Sequence, residues 1–386
     1  MKVYRSFKYK LSPNKEQQIM LNKTFGGVRL YWNNLVENFN NFYLDKDVRY
    51  YSQKEFKEIN PFLKEISAVA LHEKYVDFYK FRNTFFSKKG IGKPRFKTKK
   101  QKQSFRITKK NFSIKDNSIR LPLIGFVKFV KTRELPSNVE ITSVTILKDK
   151  VGDCFISINF NDEKIVKNKS HLPNVGIDLG LKELASLSDG TVFGNPKYFS
   201  ESQAKVRISQ KHLDRKTKGS NRQRKQLIKL ASIHRQIRNK REWYLHNVSR
   251  FVVDNYNEIG MENLKVKNMV NLNNMAKSVY DTSMITLRNF ISYKQEDYGK
   301  KVLLLDTYEP STKVCSVCGN IQSIKLSERV FTCTACNNSI DRDINAAIVI
   351  KNKTVETNAV QQTWRESKPD IHSNIDVRIL NEALTV

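Results

Sequence analysis

The sequence predicts a multidomain α/β chain, and three patterns predict it. Short apolar runs separated by turn residues fill positions 105–160, two helical stretches precede them, and strands alternate with helices from about residue 171 onward. At 386 residues the chain is long enough for two or three domains, and a hydrophobic content of 39% can supply a buried core.

Residues 2–11 (KVYRSFKYKL) alternate and read as a strand. Ser12-Pro13 introduces a helical stretch to about Leu44, with Met20, Phe25, Val28, Leu30, Tyr31 and Leu35 as apolar positions. Gly26-Gly27 within it marks either a bend or a close backbone contact. A second helical stretch covers about 61–86 and carries Leu63, Ile66, Val69, Ala70, Tyr75 and Phe78. The runs IRLPL, GFVKFV, VEITSVTIL and CFISINF follow, with turn residues at Asp116-Asn117 and Gly152-Asp153; they read as a small antiparallel barrel or sheet. A polar stretch around 164–173 marks a domain boundary. Beyond it come the strand NVGIDLG, a run at 184–187, the turn Ser188-Asp189-Gly190 and a run at 191–193. One long basic helix is expected from about 202 to 257, then the strand EIGME ending at Glu262, a helix at roughly 282–298 and a strand at 301–306. After about Asn352 the chain is polar and aperiodic, and a poorly ordered tail is expected.

Lys and Arg number 69 against 38 acids, a formal net charge of +31. Such an excess repels itself in the compact state unless a polyanion offsets it. Nucleic acid is the natural partner, because neutralising phosphates releases condensed counterions; an anionic membrane surface is the rival. No apolar run reaches about 18 residues, and Met1-Lys2-Val3-Tyr4-Arg5 does not open a signal peptide. A soluble cytoplasmic protein with no membrane partner is therefore expected. The positive charge concentrates in two segments. Residues 88–110 contain no acid and include Lys88, Lys89, Lys93, Arg95, Lys97, Lys99 and Lys100, with Phe96 and Phe105 interleaved as candidates for stacking on bases. Residues 203–241 include Arg215, Lys216, Lys218, Arg222, Arg224 and Lys225 against the single acid Asp214. A solvated surface helix is the plain alternative, but intramolecular ion pairs cannot account for that imbalance.

Five cysteines without a secretion signal argue against a disulfide framework. Cys315-Ser-Val-Cys318 is separated by 14 residues from Cys333-Thr-Ala-Cys336. Two such knuckles fit one tetrahedral zinc ion on four thiolates, and a closed coordination shell makes the metal structural. Disulfides or unrelated thiols are the alternatives. Cys154 lies within an apolar strand and reads as core.

Three acids stand out. Asp178 lies in Val175-Gly-Ile-Asp-Leu-Gly180, where burial is costly unless a metal or a donor compensates it. Glu262 ends a short strand, and Asp343 sits in Asp341-Arg-Asp-Ile-Asn-Ala-Ala347, a helix start. Cutting a phosphodiester requires charge to be neutralised on both the attacking and the leaving oxygen; two magnesium ions about 4 Å apart do this, held by oxygen ligands. Each acid also has an ordinary explanation. Asp178 can cap a turn, Glu262 can pair with Lys265, and Asp341 or Asp343 can cap a helix. Spacing alone does not bring the three together.

With these residues in view, the sequence resembles the TnpB (OrfB) proteins of insertion sequences, compact relatives of type V CRISPR effectors. The matching blocks are FKYKLSPNKEQ, KTFGGVRLYWN, GKPRFKTKK, GIDLGLKELASLSDG, residues 262–269, EPSTKVCSVCG and DRDINAA, over roughly residues 1–352. The last three, in that order around the cysteine knuckles, are the most specific. The resemblance implies a RuvC-like RNase H fold (171–308 and 340–352) with a zinc-ribbon insertion for target nucleic acid (309–339). It further implies an N-terminal wedge-like β-barrel (1–11 and 105–170) carrying a helical recognition insertion (12–104), with a disordered tail at 353–386. It assigns Asp178, Glu262 and Asp343 as a catalytic triad for two magnesium ions, and one structural zinc to Cys315, Cys318, Cys333 and Cys336. Asp343 is preferred over Asp341 because the family motif places its acid two residues before the Asn of Asn-Ala-Ala. The implied activity is RNA-guided cleavage of double-stranded DNA in a prokaryotic nucleoid, with a guide RNA from the transposon right end and a short transposon-adjacent motif beside the target. It names no protein partner. Asn337 stands where the family commonly has Gly, Val349 where it often has Asn, and Asn263 where Asp is common; none removes a metal ligand. The intact acids argue against the nuclease-dead RNA-guided repressors. A non-cleaving regulator of transposition and an accessory transposase are the alternatives, although Asp–Glu–zinc–Asp is not the usual order of a three-acid transposase.

Overall fold

The computed structural model describes residues 2–44, 52–137, 139–163, 169–264, 276–325 and 327–357. The chain is mixed α/β and divides into two compact units, residues 1–165 with 207–234, and residues 166–206 with 235–386.

The first unit is built on a seven-stranded sheet. Its strands are β1 (Lys2–Ser12), β2 (Gln103–Thr108), β3 (Ser113–Lys115), β4 (Ser118–Leu121), β5 (Gly125–Val130), β6 (Glu140–Lys148) and β7 (Cys154–Glu163), in the order β2-β6-β7-β1-β5-β4-β3. Every pairing is antiparallel. Period-two alternation drives Phe105 and Ile107, Ile119 and Leu121, Val127 and Phe129, and Val144 and Ile146 into the core. The tight turns fall at Asp116 (φ 50°) and Gly152 (φ 107°). Helices α1 (Lys15–Leu44), α2 (Gln53–Ile59) and α3 (Ala68–Ser87), with a 3-10 turn at Pro61–Glu65, share that core. Helix α1 runs through Gly26-Gly27 unbroken, and the close-contact option is the one realised. A Cβ at Gly27 would lie 2.4 Å from Ile66 Cδ1. Leu30 is exposed, because the buried stripe of α1 runs through Leu21, Phe25, Val28, Tyr31 and Leu35. Phe105 is also corrected: it is buried against Phe25, with ring centroids 5.1 Å apart, and offers no face to a base. Cys154 is buried in β7, and burial pushes its thiol up.

The second unit holds a five-stranded sheet of β8 (Val175–Asp178), β9 (Glu183–Leu187), β10 (Val192–Gly194), β11 (Ile259–Glu262) and β12 (Leu303–Leu305), ordered β10-β9-β8-β11-β12. Strands β8, β11 and β12 are parallel; β9 and β10 are antiparallel additions. Its helices are α6 (Ala276–Thr282), α7 (Met284–Glu296) and α8 (Arg342–Lys351), together with parts of α4 (Tyr198–Asp214) and α5 (Asn221–Asn255), whose residues 207–234 count with the first unit, and a hairpin pairs β13 (Val330–Thr332) with β14 (Ser339–Asp341). The single basic helix expected over 202–257 is two helices. Gly219 adopts φ 83°, and Ser220 Oγ accepts from Gln223 N, so the chain turns and restarts there. The helix expected at 282–298 is likewise preceded by a short separate one, with Ser283 at φ 56°. Helix α8 continues as a π-helical turn, Asn352–Glu356, with Thr354 and Val355 buried, so order extends past the expected start of the tail at 353. The rest of that tail, from 358, and Lys265 lie outside the described residues. Among the described residues no helix is long and apolar enough to cross a membrane.

Candidate functional site

Asp178 is the last residue of β8, a strand buried at all four positions. The parallel register sets Met261 beside Ile177, which brings Glu262, at the end of β11, alongside Asp178. Carboxyl ends of adjacent parallel strands are where open α/β sheets gather ligand-binding groups. Helix α8 brings the third acid. Gly176 and Gly260 are register partners. A Cβ at Gly176 would lie 2.1 Å from the Ala347 carbonyl oxygen, and one at Gly260 would lie 2.0 Å from Thr354 Oγ1. The helix backbone and its continuation therefore rest directly on two glycines. One turn before Ala347 stands Asp343. Burial, then the charges of Glu262 and Asp343, push the Asp178 carboxyl up to about 8, against the opposing pull of Arg342 and the Leu179 N–H.

The neighbours divide the work. Asp341 caps α8, accepting from the N–H groups of Asp343 at 2.9 Å and Ile344 at 3.1 Å, so the capping role falls to Asp341 and not to Asp343. The Asp343 carboxylate instead pairs with Arg342 Nη2 at 3.2 Å and Arg329 Nη1 at 3.7 Å. Glu262 accepts from the buried Ser311 hydroxyl. Beside it lies a cavity of about 120 Å³ lined by Glu262, Asn263, Leu264, Leu305, Asp306, Thr307 and Glu309. Asp306, Ser311, Arg329 and Arg342 were not singled out by sequence. Asp306 had a signal, because it follows β12, whose Leu305 is the register partner of Glu262; Ser311 had none.

The four thiols form the second cluster. All four Sγ atoms lie within 4.8 Å of one another, with Cys315–Cys336 at 3.7 Å and Cys318–Cys333 at 3.6 Å. A disulfide requires about 2.05 Å, whereas a tetrahedral ion with bonds of about 2.3 Å separates its sulfurs by roughly 3.8 Å. The two knuckles are built alike. The N–H of Gly319 donates to the Cys315 carbonyl and that of Asn337 to the Cys333 carbonyl, both at 3.0 Å. Gly319 has φ 74° and Asn337 φ 57°, so the asparagine occupies a left-handed position that Asn tolerates better than most residues. The backbone N–H of Cys336 holds the Cys333 thiol below its ordinary range. Asn345, fully buried on α8, joins this cluster to the acids. Its Nδ2 donates to the Val314 carbonyl at 2.7 Å, and its Oδ1 accepts from Ser316 N at 2.9 Å, on either side of Cys315.

The basic segments are surface features of a different kind. Lys88, Lys89, Lys93, Arg95, Lys99 and Lys100 are exposed, as are Arg215, Lys216, Lys218, Arg222, Arg224 and Lys225. The second group lies in the 215–220 turn and the first turns of α5. Lys97 differs: its Nζ sits 3.6 Å above the Trp32 ring, and burial, then Lys74, lower it to about 8.

The family profile described as "Probable transposase" (OrfB_IS605) matches residues 157–273, "Cas12f1-like, TNB domain" matches 286–350, and "Helix-turn-helix domain" (HTH_OrfB_IS605) matches 1–44, where the structure has β1 and α1. The fold is shared with a solved chain titled "Cryo-EM structure of the Cas12f1-sgRNA-target DNA complex", at a TM-score of 0.54 and 13% identity over 88% of this chain and 83% of that one. That likeness defines the class by fold: a mixed α/β chain of the Cas12f1 kind. A Streptomyces pristinaespiralis protein named "Putative RNA-guided DNA endonuclease" is 32% identical over 356 residues, 89% of this chain and 88% of its own. The Escherichia coli (strain K12) protein "Putative RNA-guided DNA endonuclease InsQ" is 29% identical over 90% of this chain and 91% of its own. The chain belongs to the TnpB (OrfB) family of insertion-sequence proteins, relatives of the type V CRISPR effectors.

Proposed function

We propose that this chain is a transposon-encoded RNA-guided DNA endonuclease. A guide RNA from the transposon right end selects the double-stranded target, and cutting occurs beside a short transposon-adjacent motif. The observation that carries the reading is the placement of Asp178 and Glu262 at the carboxyl ends of adjacent parallel strands with Asp343 nearby on α8; burial, and then the charges of Glu262 and Asp343, raise the Asp178 carboxyl there. Two partly exposed acids acting on a buried third are destabilising unless a cation resides among them. Their donors are all carboxylate oxygens, which suits magnesium. Asp178, Glu262 and Asp343 would hold two magnesium ions in a RuvC-like arrangement, and such ions supply charge neutralisation at the attacking and leaving oxygens of phosphodiester cleavage. The chain's own residues prepare that site. The Ser311 hydroxyl orients Glu262, Arg342 and Arg329 balance Asp343, and the glycine seat fixes the approach of α8.

The thiol spacing fits a structural zinc, with residues 309–339 as the target-binding ribbon. The seven-stranded sheet serves as the wedge-like barrel, and 12–104 as the recognition insertion. The exposed cations at 88–100 and 215–225 provide the grip that guided recognition needs, in which protein reads backbone and shape while base pairing reads sequence. The test is to sequence the RNA that co-purifies and supply guide-matched DNA with magnesium. Wild type cuts it. Asp178→Ala binds the same RNA but cuts at less than about one thousandth of the rate. Bound but uncut DNA with the wild type would support a non-cleaving regulator instead, and joined ends a transposase.

A further inference from the structure

Within the first unit, the basic loop borders an open, solvent-facing cavity of about 540 Å³, lined by Trp32, Phe81, Ile91, Arg95, Phe96 and Lys102 among others. Its size falls in the roughly 300–1,000 Å³ range of small-ligand sites. The lining is of two kinds. Phe81, Ile91 and Phe96 form an apolar wall, and Lys93, Arg95, Lys97 and Lys102 supply cations, with no acid among the lining residues.

The loop is held so that one ring remains available. The Arg95 carbonyl accepts from Trp32 Nε1 at 3.0 Å. The Lys97 N–H donates to Asn33 Oδ1 at 2.7 Å, and the Lys97 carbonyl accepts from Asn33 Nδ2 at 3.0 Å. These bonds fix the backbone on both sides of Phe96, whose ring is 51% exposed. Leaving a large aromatic half in water is unfavourable in isolation. Trp32 is buried at 7% exposure, with the Lys97 ammonium 3.6 Å above its ring and Phe78 edge-on. Trp32 is therefore a wall, and Phe96 is the accessible platform.

We propose that this cavity takes one unstacked nucleotide of a single strand, with its base against the Phe96 ring and the flanking phosphates on Arg95 and Lys102. The chemistry matches at both ends. Every base has a π-face that an aromatic platform accepts whatever the sequence, and cations on a lining that contains no acid suit the phosphates. An acidic peptide would use the cations but not the exposed ring. The proposal rests on the nucleic-acid partner of the guided-nuclease reading, not on its catalysis.

The test uses the full chain carrying Asp178→Ala, freed of bound nucleic acid by high salt and kept without magnesium. The probes are a 5-iodouridine-substituted oligouridine and its deoxyuridine counterpart. Irradiation should attach both or one of them to Phe96, and the arm that binds more tightly distinguishes an RNA occupant from a DNA one. Phe96→Leu should weaken single-strand binding about tenfold, while Phe96→Tyr retains it and a duplex of equal length changes less than about twofold. Phe62→Leu, a comparably exposed aromatic outside the loop at 54%, should change nothing. Adducts only outside residues 91–102, or unchanged binding by a folded Phe96→Leu protein, would overturn the proposal. So would displacement of the probe by polyglutamate without any Phe96 adduct, which would point to an acidic peptide. If instead the nuclease reading fails, wild type leaves guide-matched DNA uncut although the Phe96 adduct forms; cutting without the adduct condemns this proposal alone.

Discussion

The four thiols are a converged set of ligand atoms, whereas the three acids are neighbours whose charges reach one another, and the two sets are assembled on opposite principles. Each thiol pair is shaped by its own turn, closed by two backbone hydrogen bonds and one left-handed residue, Gly319 or Asn337. The acids come from positions 178, 262 and 343 and are brought near one another by the register of β8 with β11 and by the seating of α8 on Gly176 and Gly260. Local turns therefore specify the thiol cluster. Tertiary packing specifies the acid cluster, and it fails wherever α8 is displaced. Asn345 is the hinge between the two, because it bonds both sides of Cys315 from within α8.

Breaking the local cluster should have the largest effect on stability. Cys318→Ser should drop bound zinc from about one ion per chain to nearly none, because structural zinc supplies much of the folding energy of such small sites. Through Asn345 it should also lower cleavage. Metal analysis together with protease protection of residues 309–339 checks this, and a protected ribbon without zinc would separate the two clusters. A smaller effect should follow from breaking the seat. Gly176→Ala places a Cβ 2.1 Å from the Ala347 carbonyl oxygen, so α8 must shift. A cost of about 1–3 kcal/mol in denaturant titration is expected, with cleavage reduced and zinc content unchanged.

The remaining effect is a gain. Asp178 has a folded pKa raised to about 8 from an ordinary 3.8. A raised carboxyl contributes stability that is complete below its unfolded pKa and is lost as pH rises through the folded one. Magnesium-free wild type should therefore lose stability between about pH 4 and 8. Asp178→Asn carries no such charge, so its melting temperature should exceed wild type by about 2 °C or more near pH 8 and by less near pH 5. Magnesium should stabilise wild type and leave the variant unmoved. Melting curves at the two pH values, with and without the ion, measure this, and a constant difference across pH would remove the repulsion from the account.

What the sequence disclosed follows the same division between local and tertiary. The knuckles, α1 and the turns at Asp116 and Gly152 were legible because each depends on a few neighbouring residues. The break at Gly219 was missed because a lone glycine in a polar run does not interrupt helical periodicity on paper; only its φ of 83° and the Ser220 cap reveal it. Phe105 was misplaced although a signal existed, because it alternates with Ile107 and both point inward. The proximity of the acids had no local signal at all. Family resemblance named Asp178, Glu262 and Asp343; the register of parallel strands accounts for Asp306, next to the Leu305 partner of Glu262, while Ser311 reaches Glu262 from the segment beyond β12.

The central claim is that Asp178, Glu262 and Asp343 share divalent cations. Titrating Mn²⁺ into the zinc-loaded protein, with free ion followed by electron paramagnetic resonance, tests it most directly. About two ions per chain should bind to wild type, and Asp178→Ala should weaken that binding at least about tenfold. Superimposable titrations of the wild type and the Asp178→Ala protein would contradict it.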